Sequence, residues 1–279
     1  MPYCKTEGIV LRLHDYGESS QIVTFFTRDY GRLHGIAKGA KRPHKGLPNA
    51  LDLLNRAEIV FVRKPHGQLH LFTEWVVTEN FLRLRQNLDS LYSASYAAEL
   101  LSDLTEESEE SARLYELLLD TLRALAGQEA PLTAVFLFEI RLLGLLGHMP
   151  EVKKCVVCGR DLPARARFSP RDGGALCSAC PATGTSLREV SSGCLATIAA
   201  LARTPPPARD RAPTGLARPV PTGMELGAQD SMAMGWNGAR RLRIGPAARR
   251  EIRSLLNACI IELLGREPRM LRFLPSVSS

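Results

Sequence analysis

The sequence predicts an α+β protein of more than one domain, with a small closed β-barrel in front of an α-helical body. Three observations carry this. Short runs rich in β-branched and aromatic residues, separated by turn residues, fill residues 5–80. From Phe81 the apolar residues recur at helical instead of strand spacing. Two Cys-x2-Cys pairs then stand 18 residues apart in the second half.

In the first part, Glu7 to Leu13 and Gln21 to Thr27 have strand composition, punctuated by Asp15-Tyr16-Gly17-Glu18. Asp29-Tyr30-Gly31 turns the chain into Arg32 to Lys38. Ala57 to Arg63, the turn Lys64-Pro65-His66-Gly67 and Gln68 to Val77 follow. Five short strands in an open sheet would leave exposed edges, which closure into a barrel removes. A five-stranded OB-type β-barrel over residues 1–80 is the expectation, with an SH3-like barrel as the structural alternative.

Residues 81–279 read as a helical domain. Leu88, Leu91, Ala94, Ala98, Leu101 and Leu104 share a helical face. Ser108 is a candidate N-cap for a second helix burying Leu114, Leu117, Leu118 and Leu122, with Glu109 and Glu110 favourably placed in its first turn. Pro131 suits the start of a third helix running to Leu146. That helix is apolar on nearly every side and belongs at the centre of a core. Gly147 ends it and Pro150 prevents its restart. Leu195 to Ala202 is a short helix candidate. A last helix follows Pro246, turns Ile252, Leu255, Leu256, Cys259, Ile260 and Leu263 inward, and ends at Gly265. Between these two, Thr204 to Gly238 holds six Pro and five Gly without an apolar period, so residues 204–238 are expected to be a flexible excursion.

At 279 residues the chain is long enough for two domains, and 45% hydrophobic with 23% charged residues is ordinary globular composition. The longest apolar stretch, around Val135 to Leu146, is interrupted by Glu139 and Arg141 and is too short to span a bilayer. Met1-Pro2-Tyr3-Cys4-Lys5 does not read as a secretion signal, so a cytoplasmic location without a membrane partner is expected. The net charge of +7 is unevenly spread: +3 over residues 1–80, −6 over 81–150 and +10 over 151–279. A basic front and back around an acidic middle suits a polyanionic partner for part of the molecule, although solvated arginine-rich faces give the same totals.

Cys155-x2-Cys158 and Cys177-x2-Cys180 have the spacing of a four-cysteine zinc site over residues 151–185. Each pair presents two sulfurs, and 18 intervening residues suffice to bring the pairs into a tetrahedron of thiolates about 2.3 Å from a metal. Gly159, Gly173 and Gly174 offer the backbone freedom that tight knuckles need. All four ligands are cysteines and no position stays open, so one structural Zn2+ per chain is expected, standing in for a hydrophobic core in a small knuckle. Cys4, Cys194 and Cys259 read as small apolar residues.

Between Asp29 and Asp52 there is no acidic residue, yet Arg32, Lys38, Lys41, Arg42 and Lys45 all fall there, interleaved with Gly31, Gly35, Gly39 and Gly46. Such a loop leaving a barrel strand can track a phosphodiester backbone; it can equally be a solvated loop with incidental charge. Phe25, Phe26, Tyr30, Phe61 and Phe72 stand at strand spacing and are better read as core than as stacking faces. No base-reading pattern is visible, so any binding is expected to be largely independent of sequence.

The run Tyr16-Gly17-Glu18-Ser19-Ser20-Gln21-Ile22-Val23-Thr24-Phe25-Phe26-Thr27, continued by Tyr30-Gly31-Arg32-Leu33-His34-Gly35-Ile36-Ala37-Lys38-Gly39-Ala40-Lys41-Arg42-Pro43, resembles the N-terminal barrel of the bacterial RecO recombination mediators. The helical region, the four cysteines and Arg269-Met270-Leu271-Arg272-Phe273-Leu274 extend the likeness over most of the chain. The resemblance implies binding of single- and double-stranded DNA and annealing of complementary strands. It also implies work with RecR and SSB to load RecA, a nucleoid-associated place in the cytoplasm, and an SSB-tail pocket in the helical domain. It places DNA contact on Lys38, Lys41 and Arg42; Arg32 and Lys45 are added from charge and proximity. The Thr204–Gly238 stretch departs from the family pattern. An RNA- or ribosome-associated factor is the alternative, because small barrels and zinc knuckles serve RNA as well. No P-loop, GxSxG or HExxH motif points to an enzyme.

Overall fold

The computed structural model describes residues 3–41, 50–65, 68–107, 111–127, 130–184, 187–203 and 244–275. Five strands, β1 (Tyr3–Tyr16), β2 (Ser20–Thr27), β3 (Gly31–Ala37), β4 (Arg56–Val62) and β5 (His70–Glu79), close into a barrel in the order β1-β2-β3-β5-β4. β4 returns to pair with β1, from Tyr3↔Val62 to Ile9↔Arg56, and β3 runs parallel to β5, from Gly35↔His70 to Ala37↔Phe72. The predicted five-stranded OB-type barrel is therefore present. β1 is longer than its apolar run because its ends pair with two different neighbours. Its register shifts between Val10 and Arg12 against β2, an irregularity of the kind that lets a strand bend around a barrel.

The barrel strands are apolar on both faces in places, and each face has its own partner. Val10, Val23, Phe25, Leu33, Ile59, Phe61 and Phe72 fill the interior, where Phe25 meets Phe72 edge-to-face at 5.0 Å between centroids. Ile9, Leu11 and Phe26, displaced by one residue, point the other way into the core of the helical body. Phe25, Phe26, Phe61 and Phe72 are all buried and offer no stacking face to a base.

After a 3-10 turn (Leu82–Gln86) come α1 (Leu88–Leu104), α2 (Ala112–Ala126) and α3 (Pro131–Leu145). Ser111, not the predicted Ser108, caps α2 by accepting from the Leu114 N–H; Ser108 lies outside the described residues. Pro131 occupies the first turn of α3, and Gly147 follows that helix at φ 77°. Residues 132, 134–140, 142 and 143 of α3 are all buried, so this helix is the axis of the core as expected. A three-stranded sheet, β7-β6-β8, is built from β6 (Arg165–Ser169), β7 (Gly174–Leu176) and β8 (Arg188–Ser191). α4 (Ser192–Arg203) leads to the Thr204–Gly238 stretch, which falls outside the described residues. α5 (Pro246–Leu264) then lays Ile252, Leu255, Leu256 and Ile260 into the core and ends at Gly265 at φ 66°.

Glu139, which interrupts the apolar run of α3, is fully buried. Its Oε1 accepts from the Tyr96 hydroxyl of α1 at 2.6 Å and from the Arg253 guanidinium of α5. Arg253 also lies over the Phe136 ring, 5.2 Å from its centroid. One ion pair thus ties three helices together. Arg253, counted in the +10 C-terminal block, is consumed inside the core and is not part of a basic surface.

Near the other end of α1, Asp103 accepts from Arg12 of the barrel at 3.0 Å and from Arg266 beyond α5. Glu99, one turn earlier, accepts from the Arg269 and Met270 N–H groups at 2.8 Å each. The Arg269–Leu274 segment is held against α1 by these contacts, with Phe273 stacked near Tyr92.

Candidate metal and nucleic-acid sites

The four predicted cysteines converge. The Sγ atoms of Cys155, Cys158, Cys177 and Cys180 all lie within 4.8 Å of one another, and those of Cys158 and Cys177 are 3.9 Å apart. A tetrahedron with metal–sulfur distances of about 2.3 Å has edges of about 3.8 Å, so the cluster has the dimensions of a metal site. The first knuckle is tied by Cys155 N–H to Arg160 O at 2.9 Å and Gly159 N–H to Cys155 O at 2.8 Å, with Gly159 at φ 69°. Gly174 is needed for a different reason than conformational freedom. A Cβ there would sit 2.4 Å from the Glu151 carbonyl, so only glycine lets the two backbones pair.

Backbone donors prepare the sulfurs for metal. N–H groups, first that of Cys158 and then that of Cys177, pull the Cys155 thiol down to about 6. Cys177 is lowered as well, chiefly by the Ala179 N–H. Cys180 is pushed up to about 12, chiefly by hydrogen bonds with the Cys158 and Cys177 sulfurs that favour its protonated form. A divalent cation would take the place of that proton, since thiolate ligands bind metal deprotonated. The remaining cysteines differ. Burial drives Cys194 and Cys259 up to about 12, which keeps them inert thiols, and Cys4 is half-buried in β1.

The expectation that metal replaces a hydrophobic core in this segment needs correction. Val152, Ala166, Phe168, Ala175 and Val190 belong to the same core as α1–α5. The sheet therefore rests on the helical body, and only the tips carrying the cysteines lack apolar support.

The basic segment leaves the barrel at the end of β3. Lys38 is exposed and has no carboxylate partner among the described residues. The turn is pinned by the buried Ala40, by Gly39 at φ 74° and by Lys41 N–H to Ser19 O at 3.1 Å. The Lys41 ammonium rests on Asp15, an exposed carboxylate near the end of β1, and holds that carboxyl below its ordinary value. Arg42 and Lys45 lie outside the described residues.

Arg32 is placed differently from the other predicted contacts. Its guanidinium donates to the Ser102 carbonyl at 2.7 Å, so it faces α1 and joins the barrel to the helices. His34 is half-buried and bonded to Thr24 at 2.8 Å; burial pushes it below its ordinary value and keeps it uncharged at neutral pH. In the helical body a cavity of about 490 Å³ opens between the 3-10 turn, the start of α1 and the α2–α3 junction. Arg83, Gln86, Asn87, Ser90, Leu125 and Pro131 line it. Sequence spacing gave no sign of this cavity, because its wall joins two stretches of the chain, residues 83–90 and 125–131.

A closed OB-type barrel with a basic turn after β3, followed by a helical body with a tetracysteine cluster, defines the structural class. Two family models match the chain: Recombination protein O N terminal over residues 1–81, and Recombination protein O C terminal over residues 85–214. The chain belongs to the RecO family. It is 34% identical over 276 residues to a DNA repair protein RecO of Rhodopirellula baltica, covering 96% of this chain and 97% of that protein. It is 34% identical to the Roseiflexus sp. DNA repair protein RecO, over 98% of this chain and 85% of that one. With its Desulforudis audaxviator counterpart the identity is 31%, over 98% and 97%.

Proposed function

We propose that the protein is a DNA-binding and strand-annealing recombination mediator in DNA repair, which works with RecR and SSB to promote RecA loading. The observation that carries this reading is the pinned basic turn at the end of β3, on an OB-type barrel, in a chain of the RecO family. Two single strands repel through their phosphates. A surface that neutralises phosphates without reading bases lowers that repulsion and leaves the base edges free to pair. No bond is made or broken. Lys38 and Lys41 supply charge at the turn, and Arg42 and Lys45 extend it along the chain. Arg32 contributes by fixing the barrel against α1. Cys155, Cys158, Cys177 and Cys180 hold one structural Zn2+. We assign the SSB contact to the helical body, where the cavity beside Arg83 is the place to seek it.

Alanine at Lys41 and Arg42 is expected to weaken single-stranded DNA binding similarly for every sequence. Three to five phosphate contacts give a log K against log salt slope of roughly −2 to −3.5, and the double substitution should flatten it by about 0.7 to 1.4. Asp15→Asn frees the Lys41 ammonium and is expected to move affinity the other way, upward, with a steeper slope. Fluorescence anisotropy across a salt series reads both. Unchanged annealing in the double variant would make the turn a solvated surface only. Competition with RNA oligonucleotides separates this reading from an RNA-directed factor, and co-purification with RecR and SSB tests the partners.

A further inference from the structure

Arg167 sits in the middle of β6, paired across the sheet with Leu176 and Glu189. One nitrogen of its guanidinium, Nη2, faces three backbone carbonyls of the second knuckle: Cys177 O at 2.8 Å, Ser178 O at 3.3 Å and Cys180 O. Its Nε is buried without a partner. No carboxylate pairs with it among the described residues. Arg165, on the same strand and face, is instead exposed and pairs with Glu189. A buried or half-buried cation without a counter-charge is costly unless its environment supplies one.

The cysteine cluster supplies it. Four thiolates around a divalent cation carry a net charge of −2, and the Arg167 guanidinium is a cation hydrogen-bonded to the backbone of the second knuckle. We infer that Arg167 is the positioning residue and counter-cation of the metal site. By gathering the carbonyls of residues 177, 178 and 180, it fixes the path of the second knuckle around the sulfurs. The Ala179 N–H, which shares a peptide with the Ser178 carbonyl, faces the Cys177 sulfur. Metal-site partners beyond the ligands set affinity through this kind of orientation. The inference rests on the metal reading of the four cysteines and adds a residue outside the Cys-x2-Cys pattern.

The test uses the full chain. Zinc content of the purified wild type is measured first, and then zinc retention against a chromogenic chelator for wild type, Arg167→Met, Arg167→Gln and the control Arg165→Met. The two Arg167 variants are expected to hold zinc 10- to 100-fold more weakly, with the control at the wild-type value. Replacing zinc by Co2+ adds a readout that a purely structural role would not move. Losing the positive charge beside the sulfurs should shift the thiolate-to-cobalt charge-transfer band to lower energy in Arg167→Met and not in Arg165→Met. If Arg167→Met does not fold, Arg167→Gln carries both measurements. Wild-type retention and an unshifted band in the folded variants would overturn the role of Arg167 while leaving the metal site standing. A wild-type chain that takes up neither ion would overturn both.

Discussion

Arg253→Ala is expected to destabilise the protein by about 3–5 kcal/mol, because it strands the fully buried Glu139 carboxylate without its cation. In a chain of this size that corresponds to a fall in melting temperature on the order of 10 °C. Burial opposes the charge on Arg253, and Glu139 and Tyr96 more than offset that, so the guanidinium stays protonated. Tyr96→Phe removes only one neutral donor and should cost less, about 1–2 kcal/mol. Replacing the pair together by Glu139→Leu with Arg253→Met should recover most of the loss, since apolar side chains of similar volume need no counter-charge. Denaturant unfolding of the three variants checks the order. A fully stable Arg253→Ala would mean that water reaches Glu139.

Removing the metal, or replacing Cys155 and Cys177 by serine, is expected to release the knuckle tips while leaving the rest of the sheet folded. Structural zinc contributes on the order of 10 kcal/mol to the folding of small sites. With zinc bound, that stabilisation would concentrate on residues 155–163 and 177–184, which carry the four cysteines. Phe168 and Val190 are anchored in the helical core by their own burial. Hydrogen exchange should therefore rise sharply at the tips on chelation and stay low in β6 and β8. Equal loss of protection across the whole 151–191 region would mean that the core contacts are too weak to hold the sheet. The barrel, which has its own core, should keep its DNA affinity.

The sequence by itself determined the barrel, the succession of helices and the four-cysteine cluster, because each rests on a local pattern. Strand runs between turns, apolar positions three and four apart, and paired cysteines are written along the chain and need no knowledge of what lies across from them. The ends of elements were less legible. Ser108 and Ser111 both offer a capping hydroxyl, and only the path of the chain into α2 selects Ser111.

What the tertiary structure decided was the use of each charge. Arg32 and Lys41 look alike in the sequence, yet one faces the Ser102 carbonyl and the other a solvent-exposed Asp15. Glu139 reads as an interruption of an apolar helix and Arg253 as one more basic residue near the C-terminus. They are 114 residues apart and meet in the core. Arg167 is one of many arginines until three carbonyls of the second knuckle close on it. The physical reason is the same in each case. Apolar periodicity follows from the geometry of a single element, whereas the energy of a charge depends on the dielectric and the partner it meets, and both are created only when elements from separate parts of the chain pack together.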